Sequence, residues 1–395
     1  MKYELIATAT FGLEAVVRRE IEALGYRILK TEDGRVTYLG DERAIARSNL
    51  WLRTADRVYL KMGEFTAHTF EELFQQIKGI EWEQIIPADG EFPVVGTSVK
   101  SELHSVPACQ SIIKKAVVSR LSEFYMKERF EESGGVYRIR FAALKDRFTV
   151  MIDTSGEGLH KRGYRVKDVA APMKETLAAA LVQLSFYRAD RQLVDTCCGS
   201  GTLPIEAALI ARNIAPGLGR DFASNGWDII PEETWKDEKR RAYEAGNFDD
   251  ELHILAMDID SRAIAAAKAN ADEAGVLEDI EFVHRDMRKW EPRGEYGVIL
   301  TNPPYGERIG ERGDIDAIYT KLSEVLKDNP TWSLFMITTD KDIEEKFFGR
   351  KADRRRKLYN GRLETQFYQY HGTRPPKKDA VHEEPAAEKE GEQDE

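Results

Sequence analysis

Along this chain the spacing of apolar and polar positions switches between a strand period and a helix period, and the switches mark its elements. Residues 2–9 alternate as a strand would. Residues 11–24 place apolar side chains at helical spacing, and Gly25 ends that helix. Short strands at 27–29 and 35–39 flank the turn Glu32-Asp33-Gly34, with a second helix at 41–50 and a strand at 57–62. The order β-α-β-β-α-β predicts a ferredoxin-like unit over residues 1–64. A helix at 70–77, a strand at 92–98, a helix at 106–121 opened by Pro107, and a hairpin of 137–143 with 147–154 form a second module over 65–160. Then strands at 192–194, 253–258, 281–286, 297–301 and 332–338 alternate with helices at 177–184, 203–212, 260–270 and 317–326. Such alternation predicts an α/β domain with a mainly parallel sheet over 161–372, closed by an antiparallel hairpin of 357–361 and 365–371. A Trp-, Lys- and Glu-rich insertion at 216–250 interrupts it, and the pattern gives that insertion no role.

The tail, 373–395, is Pro, Lys, Glu and Ala with nothing to pack, so disorder is expected. Composition is that of a globular protein of several domains, with 42% hydrophobic and 32% charged residues in 395. No apolar run approaches the length of a membrane span, and the amino terminus, carrying Glu4, does not read as a signal peptide. Three cysteines, Cys109, Cys197 and Cys198, are too few for a disulfide framework, so a reducing cytoplasm is expected. Without a Cys-x-x-Cys pair or a His cluster, no metal is expected. The net charge of −11 is uneven. Residues 379–395 hold eight carboxylates against Lys389, a net −7, which leaves −4 for the rest. On that near-neutral body stand basic clusters: Lys114-Lys115, Lys161-Arg162 with Arg165 and Lys167, and Arg350-Lys351 with Arg354-Arg355-Arg356-Lys357. They suit either a specific RNA site or solvated faces.

Two strand-end turns carry the candidate chemistry. The first is Asp195-Thr196-Cys197-Cys198-Gly199-Ser200-Gly201-Thr202. Gly199 and Gly201 let backbone approach a ligand where a Cβ would block it. Asp195, at the strand end, can accept hydrogen bonds from an ammonium or a hydroxyl. Open α/β sheets bind ligands at such turns. A dinucleotide fingerprint needs Gly or Ala where Pro204 stands, which argues against a nicotinamide cofactor. The second turn is Asn302-Pro303-Pro304-Tyr305-Gly306. Two prolines after a buried strand make a rigid turn.

Together the two turns resemble those of class I methyltransferases that use S-adenosyl-L-methionine (AdoMet) on an exocyclic amino group. Ser105-Val106-Pro107-Ala108-Cys109-Gln110-Ser111-Ile112-Ile113-Lys114-Lys115 and Gly158-Leu159-His160-Lys161-Arg162-Gly163-Tyr164-Arg165 resemble a THUMP domain, an RNA-binding module, covering 65–160. Residues 1–372 as a whole resemble the bacterial THUMP-containing RNA guanine-N2 methyltransferases, with the 23S rRNA enzyme's amino-terminal half the nearest pattern. The implied fold is a Rossmann-like class I methyltransferase sheet, preceded by an α+β ferredoxin-like unit and a THUMP domain. The resemblance sets Pro172, Lys174, Glu175 and Thr176 against the methionine part of AdoMet, and Asp195, Gly199, Gly201 and Thr202 in its binding turn. Asp258, at a strand end, can take both ribose hydroxyls, while Asp260 caps the next helix. Asp286 is expected near the adenine amine, with Met287 donating from its backbone. Asn302 and the Pro303 carbonyl would accept the two N–H groups of the target amine, and Tyr305 would stack on the flipped base. Cys197 and Cys198 sit in the cofactor turn and read as packing residues. Lys114, Lys115, Lys161, Arg162 and Arg165 are the expected RNA contacts, and no membrane partner is expected. A tRNA guanine-N2 enzyme, an adenine-N6 enzyme and a non-catalytic RNA-binding relic of the fold stay open.

Overall fold

A computed structural model describes residues 1–167, 172–305 and 312–374. The expected disorder of the tail concerns residues that, from 375 on, lie outside those described, as does Gly306 of the second turn.

The amino-terminal half is one sheet. Its elements are β1 (Tyr3–Ala9), α1 (Glu14–Ala23), β2 (Arg27–Glu32), β3 (Arg35–Gly40), α2 (Glu42–Trp51), β4 (Ala55–Thr66), α3 (Phe70–Lys78), β5 (Val94–Val99), α4 (Val106–Tyr125), β6 (Ile139–Leu144) and β7 (Arg147–Asp153). The strand order is β2-β3-β1-β4-β7-β6-β5. The ferredoxin-like order β2-β3-β1-β4 is therefore present, and the sheet runs on through β7 into the second module. The join is β4, twice the expected strand: its first half pairs with both β1 and β7, and its second half, from Gly63 to Thr66, with β7. A boundary at residue 64 thus falls inside a strand. The reason lies outside the local pattern, because β7 supplies the backbone partners that residues 63–66 need.

The second sheet contains β8 (Leu193–Asp195), β9 (Ile254–Asp258), β10 (Ile280–His284), β11 (Val298–Thr301), β12 (Ser333–Thr338), β13 (Arg354–Asn360) and β14 (Leu363–Tyr370). Its order is β10-β9-β8-β11-β12-β14-β13, with β14 antiparallel to both of its neighbours, β12 and β13. α5 (Glu175–Leu184), α6 (Thr202–Ala211), α7 (Glu232–Glu244), α8 (Ser261–Glu273) and α9 (Arg312–Asp328) complete the domain. Expectation and structure differ at β10, which stops at His284. Asp286 instead caps a short 3-10 turn by accepting from the Arg288 N–H.

The two halves are in direct contact. Leu13 and Val16 of the amino-terminal unit are buried in the catalytic core with Leu358 of β13. Gln183 of α5 donates to the half-buried Glu20 of α1. α5 and α6, apolar nearly all round, are buried almost throughout, as helices covered on every side must be. The insertion has a structural role. Trp227 stacks on Tyr137 with ring centroids 4.8 Å apart, and its indole N–H donates to the Val136 carbonyl at 3.2 Å. Phe222 and Trp235 stack at 5.4 Å in the same amino-terminal core. α7 brings the buried Glu238 to Arg43 and Arg47 of α2. The insertion clasps the amino-terminal sheet rather than extending the surface. Among the described residues, no helix is long and apolar enough to cross a membrane.

Candidate functional site

The strand order reverses between β8 and β11, and the two motif turns leave the carboxyl ends of these neighbouring parallel strands. An open α/β sheet forms its ligand crevice at such a switch point. The turns are also linked directly: the Thr196 and Thr301 hydroxyls are hydrogen-bonded at 2.9 Å. Motifs about 100 residues apart in sequence thus become one site.

In the first turn, the Cys198 N–H donates to the Met257 carbonyl of β9, and the Gly199 N–H to Asp258 Oδ2, each at 2.9 Å. Gly199 and Gly201 have φ of +53° and +83°, a region that side chains with a Cβ avoid. A Cβ on Gly201 would also come within 3.0 Å of Ala267 Cβ on α8. Asp258 Oδ1 accepts from the Asp260 N–H at 2.9 Å. Each oxygen of Asp258 therefore keeps a lone pair, which suits a pair of hydroxyls. Asp260 caps α8 as expected, by accepting from the Arg262 N–H.

Asp195 is buried. Burial pushes its carboxyl up to about 7, against the pull of the Cys197 N–H and with a further push from the Asp258 charge. A cation beside it would reverse that shift. The Cys197 thiol is pushed up to about 12 by burial, and Cys198 is raised as well. Neither is poised as a nucleophile, since the thiolate is the reactive form.

Asn302 is half-buried at the end of β11, and Pro303 is buried. The Asn302 Oδ1 is a buried acceptor with no hydrogen-bond partner among the described residues. The Tyr305 hydroxyl accepts from Asn360 Nδ2 of β13 at 3.2 Å. Asp286 is held by Arg288 at 2.8 Å, which lowers its carboxyl, and Met287 is buried. The segment before α5 leaves Pro172 and Lys174 exposed, and the first turn of α5 buries Glu175 and Thr176. The Thr176 hydroxyl is buried with no partner among the described residues.

Two expected RNA contacts are corrected here. Arg162 is buried, 5% exposed, and pairs with the fully buried Glu206 at 3.2 Å while donating to the Arg53 and Leu159 carbonyls. It cannot reach a phosphate. Arg165 points inward too, bonding Glu175 at 2.8 Å, the Met173 carbonyl at 2.8 Å and the Thr202 hydroxyl at 3.3 Å. It ties the segment before α5 to the glycine turn. Of the rest, Lys114 pairs with Glu132 and lies over the Phe92 ring, Lys115 is exposed, and Lys161 is exposed and paired with Glu157. A cleft of about 600 Å³ opens beside Lys161, lined also by Arg57, Arg138 and His160.

Sequence reasoning missed Asn360 and Asn270. Asn270 of α8 accepts from the Val166 and Lys167 N–H groups and donates to the Ser200 and Lys167 carbonyls, fastening the glycine turn to the segment entering the domain. A lone Asn on the buried alanine face of a helix was the available signal. It also missed His68, Glu102 and Asp146, which meet at the surface of the second module although far apart in sequence.

Residues 162–369 match the family described as UPF0020: RMKL-like, methyltransferase domain. Residues 4–59 match the RlmL ferredoxin-like domain, and 67–153 the THUMP domain. The chain is 48% identical over 371 residues to "Putative RNA methyltransferase YpsC" of Bacillus subtilis (strain 168), covering 93% of this chain and 96% of that one. A Listeria monocytogenes str. 4b F2365 structure, "a predicted N6-adenine-specific DNA methylase", is 48% identical with a TM-score of 0.90, over 94% of this chain and 97% of that one. "SMU.472, a putative methyltransferase complexed with SAH", is 42% identical with a TM-score of 0.89, over 95% and 99%. On these matches the chain belongs to the RMKL-like methyltransferase family, with an RlmL-type ferredoxin-like unit and a THUMP domain ahead of its catalytic domain.

Proposed function

We propose that this enzyme methylates the exocyclic N2 amine of a guanine in RNA, in 23S ribosomal RNA, with AdoMet as methyl donor. One observation carries the reading: the buried Asn302 Oδ1 lacks a hydrogen-bond partner among the described residues and sits at the switch point beside the glycine turn. Such an acceptor is costly to bury unless a ligand N–H satisfies it. The residues fit AdoMet. Gly199 and Gly201 keep the turn free of side chains, Asp258 offers two acceptors for hydroxyls, and the buried Asp195 suits a cationic neighbour. SMU.472, which shares 42% identity, was solved with SAH.

When bound, AdoMet supplies a methyl group on a sulfonium, already electrophilic enough that no acid is needed. The chain's task is to position the amine. An amine attached to guanine delocalises its lone pair into the ring. With one N–H given to Asn302 Oδ1 and the other to the Pro303 carbonyl, the nitrogen presents its lone pair along a single direction. The two prolines fix that carbonyl, and Tyr305, anchored by Asn360, offers its ring to the base. The methylated nitrogen is acidic and releases its proton to water, so no general base is assigned.

RNA is supported by the THUMP match and by the name given to YpsC. The exposed Lys115 and Lys161, with Arg57 and Arg138 at the cleft, are cations that can meet phosphates. Guanine is supported by the motif resemblance. Nucleoside mass spectrometry of 23S rRNA, tRNA and DNA from a deletion strain tests the reading. Loss of N2-methylguanosine from 23S rRNA, restored by the wild-type gene and not by Asn302→Ala, is the expected result. Loss confined to tRNA, or loss of N6-methyladenosine, would move the assignment to that substrate.

A further inference from the structure

The loop Thr10–Gly12 belongs to the ferredoxin-like unit, yet it is seated on the catalytic hairpin. Gly12, at φ +88°, lies so close to β13 that a Cβ would meet the Lys357 carbonyl at 3.0 Å and Leu358 Cδ2 at 3.2 Å. The loop is rigidly built: the Leu13 N–H bonds the Thr10 carbonyl, and Glu14 accepts from the Gly12 and Gly34 N–H groups at 2.9 and 2.8 Å. It carries Phe11, whose side chain is 49% exposed although apolar. Phe11 stands edge-on to the half-buried Tyr359 of β13, with centroids 6.4 Å apart and planes at 71°. The next residue along β13, Asn360, anchors the Tyr305 hydroxyl of the catalytic turn.

Lys357 Nζ lies 5.6 Å from the Tyr359 ring centroid and is paired with Glu364 at 2.6 Å. Arg356 of β13 stands near enough to Arg354 and to Arg19 of α1 to feel both charges. Among the described residues, no carboxylate pairs with Arg19, Arg354 or Arg356. An exposed ring beside a half-buried one, on a strand that also carries cations without a carboxylate partner and one residue from the anchor of Tyr305, matches the chemistry of an unpaired nucleotide: a π face and a phosphate.

We propose that Phe11 and Tyr359 form a stacking shelf for a nucleobase adjacent to the target base in single-stranded RNA, with the Arg19, Arg354 and Arg356 seam taking its phosphates. The amino-terminal unit would then contribute directly to the catalytic mouth. The proposal rests on the RNA reading above.

The test uses the full chain and a short single-stranded RNA carrying 2-aminopurine beside a guanine. Stacking on the shelf quenches the probe on binding to the wild type. Phe11→Leu and Tyr359→Leu, which keep apolar bulk at the domain contact, should lose the quench and bind roughly 5- to 100-fold more weakly. Phe11→Tyr should restore both, and all three should keep wild-type AdoMet affinity by calorimetry. If the wild type methylates RNA while Phe11→Leu quenches and binds as it does, the shelf is wrong and the RNA reading stands. If the wild type neither binds nor methylates RNA, the RNA reading fails and takes the shelf with it.

Discussion

Asn302 and Asp195 are both buried polar groups at strand ends, but they wait for different partners. Asn302 offers a neutral acceptor, so its loss should damage methyl transfer and leave the cofactor alone. Asn302→Ala is expected to lower the transfer rate by roughly 100-fold or more, as removal of a preorganised polar group at a reacting centre does, while calorimetry finds AdoMet affinity within a few-fold. Activity close to wild type would remove Asn302 from the reaction. Asp195 makes a pH prediction. Its carboxyl titrates near 7 in the folded, ligand-free chain, chiefly through burial, against an ordinary 3.8. Between those values the folded chain holds a proton that the unfolded chain has lost, so stability falls as pH rises from about 4 to about 7. Asp195→Asn should therefore match wild type near pH 4 and exceed it at pH 8, by at most about 4 kcal/mol in urea unfolding. A cation beside the carboxylate favours its ionised form, so AdoMet should bind wild type more tightly at pH 8 than at pH 6. A flat wild-type profile would place the cofactor's charge elsewhere.

Among elements, the entry segment 158–167 and α6 depend on each other through Arg162 and Glu206. The Tyr164 hydroxyl adds a third contact by donating to Glu206 at 3.0 Å. Both charges are removed from water, so removing one strands the other. Arg162→Met should cost about 3–5 kcal/mol of unfolding free energy, with an unchanged denaturant slope. Arg162→Met combined with Glu206→Leu should recover much of that loss. A phosphate contact would behave oppositely, with stability intact and RNA affinity reduced. The same segment shows how local spacing misleads: Lys161, Arg162, Arg165 and Lys167 read as one basic cluster, yet only the two lysines face water.

For the molecule as a whole, the clasp decides how the amino-terminal sheet is held. The insertion's Phe222, Trp227, Ile230 and Trp235 are core residues of the opposite domain. Trp227→Ala should cost about 3–5 kcal/mol, the usual loss for a large buried aromatic side chain. If the clasp positions RNA-binding surfaces relative to the catalytic turn, the variant should lose activity on long RNA at temperatures where AdoMet binding persists. Parallel loss of both would mean that the clasp serves stability alone.

Local pattern and motif chemistry determined much of this protein. Period-2 and period-3.6 stretches located the strands and helices, because burying one face imposes those periods whatever the neighbour is. The glycine turn and the Asn-Pro-Pro-Tyr turn were legible because each needs particular residues at particular backbone angles. What the tertiary structure alone decided depends on partners distant in sequence. β4 runs past residue 64 because β7 offers hydrogen bonds there. Arg162 and Arg165 turn inward because Glu206 and Glu175 lie within reach, and a row of basic residues reads the same whether it meets solvent or a buried carboxylate. The insertion packs on Tyr137 and Val136 of the other domain, and Phe11 reaches Tyr359 across the same junction. The last two contacts join residues about 90 and about 350 positions apart, and no periodicity along the chain encodes which distant surface will cover a given side chain.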